Sequence, residues 1–469
     1  MSAIKIKNLS LLLLLLMPCL VYSQNVTVKG IAKGGEGKVV RLKTYSDLIS
    51  MREQLVATAV IDSNGLFELH AKISNTVIAT LYIDYYAGEL YLEPGKTLEL
   101  KINNLVFNDK TDMVNHNLDP LNFTPEILNA GSSELNNSIH KLNIQYNLFL
   151  RKNMTILNSR AVQTKVDSFA VSMKDTFALV KNEYFSDYLT YRLATLELLT
   201  HRTDNETLMM RYVFGKPVQY DNIEYMTFFN QYFESYFADL TRPVNYATFD
   251  RPLNRQKSFA AVLDSMGKDT LLRNEILREA VLLRSLSSFM GMSQFNRSAI
   301  LEVLKQISVQ SKFERHRNAA ANLLWTFTHL AQGSPAPSFN LKSNEDKMIQ
   351  LADFRGRIVL LNFFTTWNTS ALEELEVMRS IYPKFSDKVV FVSICCDREF
   401  MKLFYFVKDN KYEWNMVHLN NDYDLLESYG VQTLPYFAII NKDGTFYKCP
   451  APMPSENLEM VLNAALNKK

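Results

Sequence analysis

The sequence predicts a multidomain chain in three parts. A small antiparallel β-domain covers 24–105, an all-α region covers 106–332 and an α/β domain covers 333–469, behind a leader at 1–23. Three observations predict it. Runs rich in β-branched and aromatic residues, broken by turn residues, fill the first part. Long stretches with apolar residues three and four apart, poor in Gly and Pro, fill the second. In the third, short apolar runs alternate with helical patterns, as in a sheet whose parallel strands are joined by helices. A chain of 469 residues is too long for one core, and 47% hydrophobic against 21% charged residues describes a folded protein.

The leader, MSAIKIKNLSLLLLLLMPCLVYSQ, carries Lys5 and Lys7 ahead of an apolar stretch from Leu9 to Val21. That stretch is too short to span a bilayer. Its order of charge, apolar run and small residue predicts a secretory signal cut before Gln24, with Val21 and Ser23 at the −3 and −1 places of that cut. The alternative is a lipoprotein modified at Cys19, although Pro18 fits that processing badly. No second apolar run approaches membrane-spanning length. The expectation is an exported, periplasmic protein with no transmembrane helix once mature, or a lipid-anchored one in the alternative. Cys395, Cys396 and Cys449 then remain, an odd set that makes no disulfide framework.

In the β-domain, NVTVKGIA, KVVRLKTY, LVATAVI and TVIATLYIDYY read as strands, and DSNG and EPGK supply turns. AKGGEGKVV at 32–40 is Gly-rich but lacks the spacing and following helix of a phosphate-binding loop, so it reads as a hairpin. The helical region predicts seven or eight helices, interrupted near Pro217, Pro243, Pro252 and Gly267. SKFE at 311–314 reads as a capping box ahead of RHRNAAANLLWTFTHLA. Tyr, Phe and Met at helical spacing here read as core rather than as a ligand site. There is no fixed-period repeat. GSPAPSF at 333–339 reads as a linker.

After the linker the pattern runs strand RIVLLNFF, helix 369–385, strand KVVFVSI, helix 398–409 and a short segment WNMVHL. A helix near 422–429, strand PYFAII, turn NKDG, a short strand and a helix from Ser455 complete it. The hairpin predicts an antiparallel edge on an otherwise parallel sheet.

Several function classes are excluded on this pattern. A net charge of +2 with no basic block argues against nucleic acid. The His residues show no metal-ligand spacing, no cofactor motif is present, and no serine stands in a nucleophile elbow.

APSFNL, LADFRGRIVLLNFFTTWNTSALEEL, VVFVSICCD and YGVQTLPYFAIINKDG lie in the order and spacing of one family. Through them the chain from about Pro335 to Asn467 resembles the thioredoxin-like family, in its secreted TlpA/ResA branch. The resemblance implies a thioredoxin-like fold, with Trp367 as the tryptophan before the first active-site cysteine and Pro435 as the cis-proline beside it. It also implies that the C-x-x-C positions hold Asn368 and Ala371. A family cysteine at that helix N-terminus is activated as a thiolate and attacks a disulfide, and the second cysteine resolves the product. Asn368 cannot do this, but it is a good N-cap. Asn362 stands where a buried acid is often found.

Cys395 and Cys396 end a strand on the side of the Asn368 turn. As neighbours in a strand they point to opposite faces, and a bridge between them would be strained. Both read as packed residues, and Cys449 has no evident partner. What survives is binding: Leu434, Pro435 and Trp367 would offer an extended peptide a short β-augmentation. In the plainer reading Pro435 only shapes a turn and Trp367 packs on the helix. The expected function is non-catalytic binding of a protein or peptide in the cell envelope. The alternative is a thiol-disulfide oxidoreductase using Cys395, Cys396 or Cys449. The oligomeric state is not legible.

Overall fold

The computed structural model describes residues 24–467 apart from 104, 107–119, 132–133 and 158. The expected leader at 1–23, with Cys19, lies outside the described residues.

The first part is a β-sandwich of β1 (Gln24–Ile31), β2 (Val39–Tyr45), β3 (Glu53–Val60), β4 (Leu66–Ile73), β5 (Val77–Ile83), β6 (Tyr86–Leu92), β7 (Thr97–Lys101), β8 (Leu121–Phe123) and β9 (Glu126–Ile127). One sheet has the order β4-β1-β7-β9 and the other β3-β2-β5-β6-β8. In β4 the burial alternates strictly, which turns Phe67, Leu69, Ala71 and Ile73 inward. Val28, Leu42, Leu69, Leu81 and Leu90 meet in the core between the sheets.

Three expectations change here. The sheets are not purely antiparallel, because β1 pairs parallel with β7 and β6 with β8. The boundary expected at 105 falls short, because β8 and β9 return to extend both sheets. The run TVIATLYIDYY is two strands, because Asp84 takes a left-handed φ of 55° and turns the chain back.

The middle part holds α1 (Leu135–Asn153), α2 (Gln163–Thr176), α3 (Glu183–Leu199), α4 (Asn205–Tyr212), α5 (Ile223–Tyr232), α6 (Phe259–Met266), α7 (Glu275–Phe289), α8 (Arg297–Gln310) and α9 (Glu314–Thr328). More helices form than expected, because α4 and α6 are short pieces with their own N-caps, Asp204 and Ser258. Pro252 does not interrupt the helical path but lies inside a short π-helical segment, Asp250–Arg255. The expected capping box is absent. Ser311 Oγ donates to buried Glu279 and accepts from Phe313 N–H at 3.1 Å, and α9 begins at Glu314 after an N-cap, Phe313, that makes no side-chain cap bond. The Tyr, Phe and Met stripes are core, and they share one cluster with Leu48, Ile49, Ile78 and Tyr91 of the sandwich. Sandwich and helices therefore pack as neighbours rather than as beads on a string.

The third part contains β10 (Asn340–Ser343), β11 (Met348–Gln350), β12 (Ile358–Phe364), α10 (Thr369–Phe385), β13 (Val389–Cys395), α11 (Phe400–Asn410), β14 (Asn415–His418), α12 (Tyr423–Ser428), β15 (Tyr436–Ile440), β16 (Phe446–Lys448) and α13 (Leu458–Asn467). Its sheet has the order β11-β10-β14-β13-β12-β15-β16. β14, β13 and β12 are parallel, and β15 and β16 add the antiparallel edge. The β10–β11 hairpin was not read from the sequence, and α13 starts at Leu458 rather than Ser455. β12 and β13 are buried along their whole length, as central strands covered on both faces must be. GSPAPSF is no free linker: Phe446 N–H donates to Ser334 O at 2.8 Å and Ala336 N–H to Gly444 O at 3.0 Å.

Candidate functional site

The site is made where three strand ends meet. Register places Phe364 beside Cys395 across β12–β13, and Phe363 beside Tyr436 across β12–β15. The turn 365–368, the turn 396–398 and the pair Leu434–Pro435 therefore gather at one end of the sheet. The Leu434–Pro435 peptide bond is cis.

Asn368 is the N-cap of α10, with extended φ and ψ of −85° and 108°. Its Oδ1 accepts from Ala371 N–H at 3.1 Å, satisfying one of the open donors of the first helical turn. Its Nδ2 donates to Leu434 O at 3.3 Å. One carboxamide thus ties the helix start to the residue before the cis-proline. Ala371 is buried, while Thr369 and Ser370 are exposed. Trp367 is half-buried, and Leu434 and Pro435 are buried.

Sequence reasoning missed Asp397 and His418. The Asp397 carboxylate is buried beneath the turn and accepts from Thr366 N–H at 3.1 Å and from the Cys395 thiol at 3.4 Å. Asn420 N–H donates to His418 Nδ1 at 3.0 Å, which leaves the proton on Nε2 to be donated to Asp397 O at 2.7 Å. Burial pushes the His418 imidazole below its ordinary value, against the favourable pull of Asp397. Asp397 directly follows the cysteines in VVFVSICCD, but a lone acid and a lone His carry no spacing signal. Asn362 is buried too, its Oδ1 accepting from Ser393 Oγ at 2.5 Å.

The structure does not bring the three cysteines together, and all are free thiols. Cys395 belongs to the core cluster under α10, whereas Cys396 packs against the cluster on the opposite face. Burial, then the nearby Asp397 charge, pushes both thiols well above the ordinary range. Cys449 lies off the other edge, half-buried, with Sγ 3.2 Å from Tyr436 Oη, and burial raises its thiol as well. A thiol held protonated is a poor nucleophile. Among the described residues, no group of His, Cys, Asp and Glu could hold a metal ion, and no helix is long and apolar enough to cross a membrane.

The AhpC/TSA family model matches residues 332–448. The thiol-disulfide oxidoreductase ResA of Bacillus thuringiensis is 34% identical over 113 residues, covering 24% of this chain and 65% of that one. The chain thus spans just under two thirds of that relative's length. ResA of Bacillus subtilis is 30% identical over 130 residues, covering 28% of this chain and 72% of that one. A crystal structure of the thioredoxin domain of a thiol-disulfide oxidoreductase from Bacteroides vulgatus aligns with 24% identity and a TM-score of 0.27, covering 29% of this chain and 99% of that one. With its strand order, its cis-proline and nearly three quarters of the Bacillus subtilis protein matched, the chain belongs to the TlpA/ResA-like thioredoxin family.

Proposed function

We propose that this chain is an exported thioredoxin-like protein that binds a protein or peptide partner in the cell envelope and performs no thiol-disulfide exchange. The observation that carries the reading is Asn368. At the helix start, where the resemblance sets the attacking cysteine, stands an amide that accepts from Ala371 N–H and donates to Leu434 O. Ala371, in the resolving position, has no group that could displace a sulfur. The leader at 1–23 supports export, and lipid attachment at Cys19 is the alternative.

Binding would use the edge at Leu434. An extended partner strand needs an N–H and a C=O from that residue. Here the carbonyl is shared with Asn368 Nδ2, so a docking strand competes with an internal amide. A second reading, thiol-disulfide oxidoreduction through Cys395, Cys396 or Cys449, is favoured by what the relatives are named. Three thiols that burial holds on the protonated side, Cys395 fully covered and Cys396 and Cys449 half-buried, speak against it.

The test is a trap. Asn368→Cys with Ala371 kept provides an attacking thiol and no resolving one, so a partner bearing an exposed disulfide is held covalently. Adducts from envelope extract should be few, recurrent and weakened by Trp367→Ala. Adducts equal to those of a cysteine placed on a remote surface would contradict binding at this edge.

A further inference from the structure

Where the sandwich packs on the helices, a cleft of about 870 Å³ lies between β6, the segment 122–127 and the first part of α1. That is the size of a ligand site, at the kind of junction where ligand sites form. On α1, Asn136, His140, Asn143 and Asn147 share one face at helical spacing and line the cleft. The adjoining face, with Leu135, Ile139, Leu142 and Tyr146, is buried. Asn is a weak helix former, so helix propensity does not account for the stripe.

Two of these amides hold structure. Asn136 accepts from Tyr91 N–H at 2.6 Å and donates to Tyr91 O at 3.0 Å, which pins α1 to β6. Asn143 Nδ2 donates to the buried Tyr188 Oη at 3.0 Å. The rest of the amide lining is unused. Among the described residues, the side chains of Asn122, Asn137, His140 and Asn147 line the cleft and make no hydrogen bond.

The lining decides the chemistry of a ligand. Glu89 and Glu126 put exposed carboxylates on the walls, and among the described residues no Lys or Arg lines the cleft. An anion would be repelled. A carboxamide sets donors beside an acceptor, so one Asn answers two neighbouring hydroxyls, and a carboxylate accepts from a third. Phe123 adds an apolar surface. Its ring is half-buried at the cleft wall and lies against Gly88, where a Cβ would stand 2.5 Å from it. Successive stripe residues rise about 4.5–6 Å along the helix axis, a spacing close to that of sugar rings in a chain. A peptide strand finds less here. β8 pairs with β6 at 86–88 and Asn136 occupies Tyr91, so β6 has no run of free backbone.

We infer that this cleft binds a short, uncharged oligosaccharide through Asn122, Asn137, His140 and Asn147, with Phe123 against a sugar ring. The site is separate from the Leu434 edge, and neither reading depends on the other.

The test is an array of uncharged hexose and N-acetylhexosamine oligosaccharides, with sulfated glycans and extended peptides alongside, probed with the full chain. A restricted set of uncharged glycans should be retained. Against the best of these, Asn137→Ala with Asn147→Ala should weaken binding by about tenfold or more in calorimetry. Ala is the better helix former, so that variant should melt at the wild-type temperature or above, which separates loss of ligand from loss of fold. His140→Ala, at an exposed position, is a second variant with the same expectation. Three results would each overturn the site: no uncharged glycan retained, only sulfated glycans or peptides retained, or binding unchanged in the variants.

Discussion

Asn368 and Leu434 stand 66 positions apart in the chain and are joined by one hydrogen bond, Nδ2–H to carbonyl, at 3.3 Å. The same side chain accepts from Ala371 N–H, so a single carboxamide serves as helix cap and as a tie to the residue before the cis-proline. A thiol could do neither job as well. The substitution that removes nucleophilic chemistry also supplies structure, and the two functions of the side chain can be separated by mutation.

Asn368→Ala removes both bonds and should cost about 0.5–2 kcal/mol, the usual range for losing an N-cap. Asn368→Asp keeps the acceptor for Ala371 N–H but cannot donate to Leu434 O, so it should retain most of the stability and lose the tie. Urea unfolding gives the first quantity and exchange of the 431–434 amides the second. Equal destabilisation by both variants would show that the cap contributes little.

Restoring Asn368→Cys and Ala371→Cys together should produce an intramolecular disulfide, because the helix start that lowers a thiol's pKa is already built. Mass spectrometry after mild oxidation should show the loss of two hydrogens, mapped to that peptide. Two thiols that never pair would mean that the turn has drifted from the family geometry.

His418 gives a pH dependence of definite sign. Its folded-state pKa lies below the ordinary value of 6.5 because burial disfavours the charged ring. As pH falls through 6.5 the unfolded chain takes up a proton that the folded one refuses, so stability drops toward acid. His418→Gln should flatten this slope in melting curves measured between neutral and mildly acidic pH. An unchanged slope would assign the acid sensitivity to other groups.

Native thiol labelling should be slow. All three thiols are held above the ordinary range by burial, and Cys395 is fully covered. Cys449, half-buried at the sheet edge, should label first, and Cys395 only on unfolding. A thiol that reacts rapidly in the folded protein would mark it as activated.

The α/β domain was the most legible part because its signals are local. A run such as IVLLNFF, apolar except for Asn362 and short, reads as a central strand, and Asn368 before a helical pattern announces its own cap. The sandwich was read less well. Whether β1 pairs with β7 in parallel, or β8 returns to β6, depends on long-range register that no window of residues contains. SKFE failed as a capping box because the helix begins at Glu314 itself, which puts that acid at the first helical position rather than the third and leaves Ser311 ahead of the Phe313 N-cap. At the site, the strand ends that converge were legible. Asp397 and His418 were not, because single charged residues acquire meaning only when the fold sets partners beside them.

The most direct measurement is dithiol-dependent reduction of a protein disulfide such as insulin. The wild-type chain should show no turnover above a variant with Cys395, Cys396 and Cys449 all replaced by serine. Turnover by the wild-type chain, abolished by Cys395→Ser or Cys396→Ser, would contradict a binding protein without redox chemistry.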